Sequence, residues 1–291
     1  SSLNIYMNLS SIKYKANYYA LLMLSFVIPL ERRLIAPAII IFLITSIING
    51  STKKEGKKRV LLFLGIYIMY IVGLAYSLDI KLGGDDLMTK LSLFVLPVSF
   101  FLSKINFKEK VQFVLIAFIE GCLTSSVIAI IVSSIKYYFS FDLSLFYYGN
   151  VAFFMHSSYL AMYLSLCIAI IYYYTFKKNI PFSISLNIRI VLLTFFSAFI
   201  ILLSSKTGLI TMLLLHIGAI TYLFIKNKAY LKGGVILALL LTSLVFAYKT
   251  STLFKGRIDE VVNVAQSDKT ESSTTGARKS IWGVAINLIK E

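Results

Sequence analysis

Long apolar segments, separated by short polar ones, recur along almost the whole chain. A helix needs about 20 apolar residues to cross the hydrocarbon core of a bilayer, and several of these segments approach that length. The pattern predicts an all-α fold, a polytopic transmembrane helical bundle, and no Pro/Gly-rich linker divides the membrane domain over residues 1–248. The nine predicted spans are residues 17–30, 34–48, 60–78, 87–102, 111–135, 151–175, 188–203, 207–225 and 233–248.

The apolar run from Ile188 to Ile225 is interrupted by the polar sequence Ser204-Ser205-Lys206-Thr207-Gly208. As one helix this run would be about 57 Å long, whereas the hydrocarbon core is about 30 Å thick. The run is therefore predicted to form two spans that meet at a tight turn. Lys206 is expected at a membrane surface, because a Lys at the bilayer centre costs about 2.5–3.5 kcal/mol. An ordinary snorkelling role for this side chain is the alternative.

The charge distribution predicts the orientation. The chain is 58% hydrophobic and has a formal net charge of +16. With the amino terminus inside, the inner segments hold sixteen Lys and Arg residues, and the short outer connections hold six. Cytoplasmic loops are enriched in Lys and Arg, so this orientation is favoured, and the positive charge indicates contact with membrane lipids rather than nucleic acid. The turn at Lys206 then faces outside.

The polar segment 249–291 follows the last predicted span on the same outer side. Apolar residues recur at helical spacing over residues 258–265 and 281–288, with a Ser/Thr-rich stretch between them. This segment is predicted to be the start of a large, partly helical outer loop, and the chain is expected to be a fragment of a larger set of spans.

Four basic or titratable residues share this predicted outer face: His156, Lys206, Arg278 and Lys279. Lys and Arg at a membrane surface suit a phosphate or pyrophosphate, whose charge they can neutralise. Ordinary structural roles remain alternatives, with Arg278 and Lys279 as solvated loop charges and His156 as a hydrogen-bonding group at a helix start.

Of four other polar or titratable residues within the predicted spans, only one is a candidate for function. Glu120 lies near the middle of the fifth predicted span, where a carboxylate is a functional candidate, for instance as a proton relay of a transporter. It could instead be protonated or paired within the bundle. His216 is more typical of a packing or hydrogen-bonding residue, and Cys122 and Cys167 of small apolar packing residues. No cofactor and no metal is predicted, since no paired His or Asp-x-Asp spacing occurs and the acidic residues are scattered.

Three short stretches resemble recurring segments of the O-antigen ligase and O-antigen polymerase superfamily of bacterial membrane glycosyltransferases. The first is the Ser204–Gly208 turn, and the second is Arg278-Lys279-Ser280-Ile281-Trp282. The third is His156-Ser157-Ser158-Tyr159-Leu160, followed by Tyr163. Their order and predicted topology also match, although the turn holds Lys where many members have Arg, which keeps the charge and loses bidentate geometry.

The resemblance implies a metal-independent glycosyltransferase of lipopolysaccharide biosynthesis in the bacterial inner membrane, with its active face in the periplasm. Such an enzyme moves a glycan from an undecaprenyl-pyrophosphate carrier to a lipid or glycan acceptor. Lys206 and Arg278 take the catalytic, leaving-group roles, and the substrate-binding set is Lys206, Arg278, Lys279, His156 and Tyr159. The His that serves as catalytic base in the family has no counterpart before Glu291. A polymerase of the same class, a non-enzymatic transporter or flippase subunit, and a structural membrane subunit are the alternatives.

Overall fold

Helices account for the regular structure of the part of the chain that the computed structural model describes, which comprises residues 2–50, 57–77, 79–177, 184–227, 234, 237–238 and 281–287. No strand occurs in these ranges. The helices are α1 (Ser2–Val27), α2 (Arg32–Asn49), α3 (Lys57–Leu74), α4 (Ile80–Thr89), α5 (Ser92–Leu102), α6 (Phe107–Ser140), α7 (Ser157–Phe176), α8 (Leu186–Leu203) and α9 (Lys206–Asn227), with a 3-10 turn at Leu143–Phe146 between α6 and α7.

Five of these helices, α2, α6, α7, α8 and α9, are long and apolar enough to cross a membrane. The all-helical prediction is therefore confirmed for the described residues, and the chain has the features of a multi-pass membrane protein. In α3 the apolar part, Leu62–Leu74, is shorter than a span. The ninth predicted span lies outside the described residues, except for residues 234, 237 and 238, which are helical.

The fourth predicted span, residues 87–102, is wrong as a single element. Its first residues belong to α4, whose start is capped by Asp79, with the Leu82 amide donating to Asp79 Oδ1 at 3.0 Å. The chain then turns at Lys90, and α5 runs for only 11 residues, which is about 16 Å of helix. The apolar pattern alone suggested one continuous helix, whereas the chain forms two short helices that meet at Lys90.

Two apolar clusters hold the described helices together. One is built from α1, α2 and α5, and the other from α6, α7, α8 and α9. The helix α7 is central to the second cluster, because it packs against each of α6, α8 and α9. Cys122 and Cys167 are both buried in this cluster as free thiols, in agreement with their predicted packing role.

A buried polar network fastens the first cluster. Asn17 of α1 is fully buried, and its Nδ2 donates to Ser46 Oγ at 2.8 Å and to Thr45 Oγ1 at 3.2 Å, both on α2. Its Oδ1 accepts from Ser103 Oγ, just beyond α5, at 2.6 Å. The Asn17 amide therefore links α1, α2 and the residue that follows α5. Because α1 also packs on α6, this network is connected to the second cluster.

Candidate functional site

The predicted turn inside the apolar run is present between α8 and α9. Ser204 adopts a left-handed conformation, with φ 46° and ψ 32°, and its amide donates to Ile201 O at 3.0 Å, which ends α8. Ser205 then caps α9, since the Gly208 amide donates to Ser205 Oγ at 3.4 Å. Both serines are buried, and Lys206 is half-buried as the first residue of α9. The prediction of two helices that meet at a tight turn beside Lys206 is confirmed.

The start of α7 is capped by His156. Its Nδ1 accepts a hydrogen bond from the Ser158 amide at 3.3 Å, and its exposed ring lies edge-on to Tyr159 with 5.9 Å between the ring centroids. The alternative expectation for His156, hydrogen bonding at a helix start, is what the structure shows. A neutral ring whose Nδ1 accepts this bond carries its proton on Nε2. The second nitrogen is then a donor, which suits contact with an anion and does not suit a general base.

The starts of α7 and α9 lie side by side. Ser205 Oγ donates to Ser158 Oγ at 3.4 Å, one residue from Lys206 and two from His156. One turn further along, a Cβ at Gly208 would lie 2.5 Å from the Ala161 Cβ, so the absence of a side chain allows this close approach. The first turn of α7 contacts the first turn of α9, so the two helices are parallel. The predicted site residues His156, Tyr159 and Lys206 therefore lie at the same end of this helix pair.

Positive potential is concentrated at this end. Each helix N-terminus is equivalent to roughly +0.5 elementary charge, and the C-terminus of α8, which ends at the same turn, contributes roughly −0.5. Lys206 adds a full positive charge at the first position of α9, where a cation is unfavourable by about 0.3–1 kcal/mol. The three helix ends alone leave roughly +0.5 elementary charge at this position, so an anion is the ligand that this arrangement favours.

Two further serines belong to the site, and sequence reasoning gave them no role. Ser157 and Ser205 are almost fully buried at the two helix starts. The available signal was the repeated Ser-Ser pair, at 157–158 and at 204–205, each directly before or at the beginning of an apolar helix. A capping pattern at two helix starts is visible in the sequence, whereas the contact between the two starts is not.

Arg278 and Lys279 lie outside the described residues, so their positions relative to Lys206 stay a prediction. The helix predicted to follow them is confirmed over residues 281–287, all of which are exposed. Among the described residues, no group of three or more His, Cys, Asp or Glu side chains could hold a metal ion.

Two polar residues within long helices have different environments. His216 is buried, with Nδ1 2.8 Å from Met212 O and Nε2 3.2 Å from Ser197 Oγ, so the expected packing and hydrogen-bonding role is confirmed. Glu120, by contrast, is exposed on α6, and its side chain makes no ion pair within the described part of the chain. Pairing inside the bundle, one of the expected alternatives for Glu120, is therefore not seen there.

The geometry of the α7–α9 end is the main guide to function. It combines capped helix starts, a Lys at the first helical position and a His whose second nitrogen is a donor. No protein family, no curated protein and no solved structure matches the chain.

Proposed function

We propose that this chain is part of a glycosyltransferase of the O-antigen ligase type. It transfers a glycan from an undecaprenyl-pyrophosphate carrier to a lipid or glycan acceptor at the periplasmic face of the bacterial inner membrane. The observation that carries the proposal is the pair of parallel helix starts beside Lys206, joined by the contact between Ser158 and Ser205. This end of the bundle offers positive potential and hydrogen-bond donors to a pyrophosphate.

In the proposed reaction an acceptor hydroxyl attacks the anomeric carbon of the lipid-linked glycan. A new carbon–oxygen bond forms, and the bond from that carbon to the pyrophosphate oxygen breaks. The electron pair stays on the pyrophosphate, whose growing charge Lys206 and Arg278 stabilise, while the hydroxyl proton passes to a base. Preorganised positive groups are effective here, since loss of one such donor at an oxyanion typically lowers the rate about 100- to 1,000-fold.

His156 and Tyr159 have a binding role in this proposal. The Nε2 proton of His156 and the exposed Tyr159 hydroxyl are donors beside the start of α7. Neither is assigned as the base, because His156 Nδ1 already accepts the Ser158 amide. The family resemblance implies that the base is a His of the large outer loop.

The test is Lys206→Ala in the longest available form of the protein, assayed for glycan transfer from a lipid-pyrophosphate donor in proteoliposomes. We expect at least a 100-fold lower rate, partial activity in Lys206→Arg, and a similar loss in Arg278→Ala. Lys226→Ala is the matched control, since Lys226 is an exposed lysine in the last turn of the same helix. Unchanged transfer in Lys206→Ala and Arg278→Ala, with normal membrane insertion, would refute the proposed roles.

Removal of the charge should also affect the free energy of unfolding with opposite signs at the two ends of α9. Lys206→Ala removes a cation that the dipole at the N-terminus disfavours by about 0.3–1 kcal/mol, and it also removes the contacts of this half-buried side chain, so the stability of the variant is measured beside its activity. Lys226→Ala removes a favourable cation from the C-terminal turn and should lower stability by about 0.3–1 kcal/mol. Loss of transfer without loss of stability separates a functional lysine from a structural one.

A polymerase of the same class shares the donor and differs in the acceptor, so chain length of the product distinguishes it from a ligase. The exposed carboxylate of Glu120 favours a second candidate, a transporter or flippase subunit, because an intramembrane acid can relay protons. In that candidate Glu120 is essential and Lys206 is dispensable, which is the opposite of our expectation.

A further inference from the structure

Ser157, the first residue of α7, is the least expected polar group at the site. It is 1% exposed, and its Oγ makes no hydrogen bond within the described part of the chain. Buried hydroxyl groups are almost always hydrogen-bonded, because burial removes their bonds to water. The neighbouring Ser158 and Ser205 hydroxyls do have partners. A hydrogen bond from a ligand would therefore stabilise this hydroxyl, provided that its position in the fold brings it to a ligand.

The position of Ser157 indicates what that partner is. Residues four apart lie on the same face of a helix, so Ser157 shares a face of α7 with Ala161. Ala161 is the residue that meets Gly208 of α9 at close range. Ser157 thus lies one turn closer than that contact to the N-terminal end of the helix pair. Ser157 is therefore at the level of the Ser204–Lys206 turn, at the N-terminal end of the helix pair.

We propose that the Ser157 hydroxyl donates a hydrogen bond to a phosphate oxygen of an anion bound at the N-terminal ends of α7 and α9. The inference rests on the proposed function, since it identifies one of the groups that hold the pyrophosphate. Lys206 and the helix ends supply positive potential, which is weakly directional. A serine hydroxyl is a directional donor without charge. It therefore orients the phosphate, whereas the positive groups attract it.

The chain contains a matched control for this serine. Ser125 of α6 is also 1% exposed, and its Oγ likewise lacks a hydrogen-bond partner among the described residues. It lies in the interior of α6, away from both helix starts. Ser125→Ala and Ser157→Ala therefore remove the same chemical group from similarly buried sites, and neither should lower the thermal stability. Only Ser157→Ala should affect an anion.

The experiment measures binding of inorganic pyrophosphate to the full chain in detergent or nanodiscs by isothermal titration calorimetry. Ser157→Ala should raise the Kd about 10- to 100-fold, as expected for one hydrogen bond to a charged group. Ser125→Ala should stay within about twofold, Ser157→Thr should retain most of the affinity, and Lys206→Ala should weaken binding.

The outcomes separate the inference from the proposed function. If Lys206→Ala weakens pyrophosphate binding and Ser157→Ala does not, the role of Ser157 is refuted while the proposed function stands. Equal losses in Ser157→Ala and Ser125→Ala indicate a general packing effect and also refute it. If Ser157→Ala alone loses affinity but the wild-type protein transfers no glycan from any lipid pyrophosphate, the anion site stands and the proposed function falls. Absence of wild-type pyrophosphate binding overturns both.

Discussion

The contact between Gly208 and Ala161 allows a direct test of whether the two helix starts must lie together. An alanine Cβ at position 208 would be 2.5 Å from the Ala161 Cβ, whereas carbon atoms pack at about 3.5–4.0 Å. Gly208→Ala therefore requires a local shift of about 1 Å or more. Such overpacking costs about 1–3 kcal/mol, against a gain of at most about 1 kcal/mol from the better helix propensity of alanine. We expect a net loss of up to about 2 kcal/mol.

Gly218→Ala is the control for that substitution. Gly218 lies in the same helix, and a Cβ there meets nothing within 4 Å, so only the propensity gain applies. The double variant Ala161→Gly/Gly208→Ala restores the space, so the interaction free energy between the two substitutions should be at least about 1 kcal/mol in the stabilising direction. Denaturant unfolding in mixed micelles measures stability, and pyrophosphate titration reports the site. If Gly208→Ala were as stable as Gly218→Ala and bound pyrophosphate normally, the close packing would have no functional importance.

Two further substitutions test other parts of the molecule. Asn17→Ala leaves the buried Ser46 and Ser103 hydroxyls without their shared partner and should lower the free energy of unfolding by about 2–3 kcal/mol. Asn187→Ala, at an exposed asparagine in the first turn of α8, should change it by no more than about 0.5 kcal/mol in the same assay. Glu120→Gln should keep glycan transfer within about twofold and should not lower stability, because it removes a carboxylate that costs free energy within a membrane. Loss of activity there would favour the transporter reading.

Much of the helical layout could be predicted from the sequence because apolar length is a strong signal in membrane proteins. Each of the five long apolar helices overlaps one predicted span, although its ends differ by a few residues, and the α8–α9 turn follows from the cost of burying Lys206 in lipid. Two helix boundaries differ from the prediction. The turn at Lys90 divides the fourth predicted span, and α5 follows it without a side-chain cap. The helix α7 begins at Ser157, six residues after the predicted position, behind the His156 cap.

The site was only partly predictable for a different reason. Lys206 and His156 stand out in a sequence because a charge or an imidazole is rare beside a span. The contact between Ser158 and Ser205 joins residues 47 positions apart, and no local pattern specifies it. The same holds for the unpartnered hydroxyl of Ser157, since burial and hydrogen bonding depend on neighbours in space.

The end of the α7–α9 pair departs from local stability rules in three ways. Parallel packing brings two positive helix ends together, Lys206 places a cation where the helix dipole disfavours one, and Ser157 leaves a buried hydroxyl without a bond among the described residues. An oxyanion would be attracted by the first two features and could accept the hydrogen bond of the third. Local departures from stability rules are expected at functional sites. That one class of ligand would relieve all three is the strongest physical reason to look for anion chemistry at this end of the bundle.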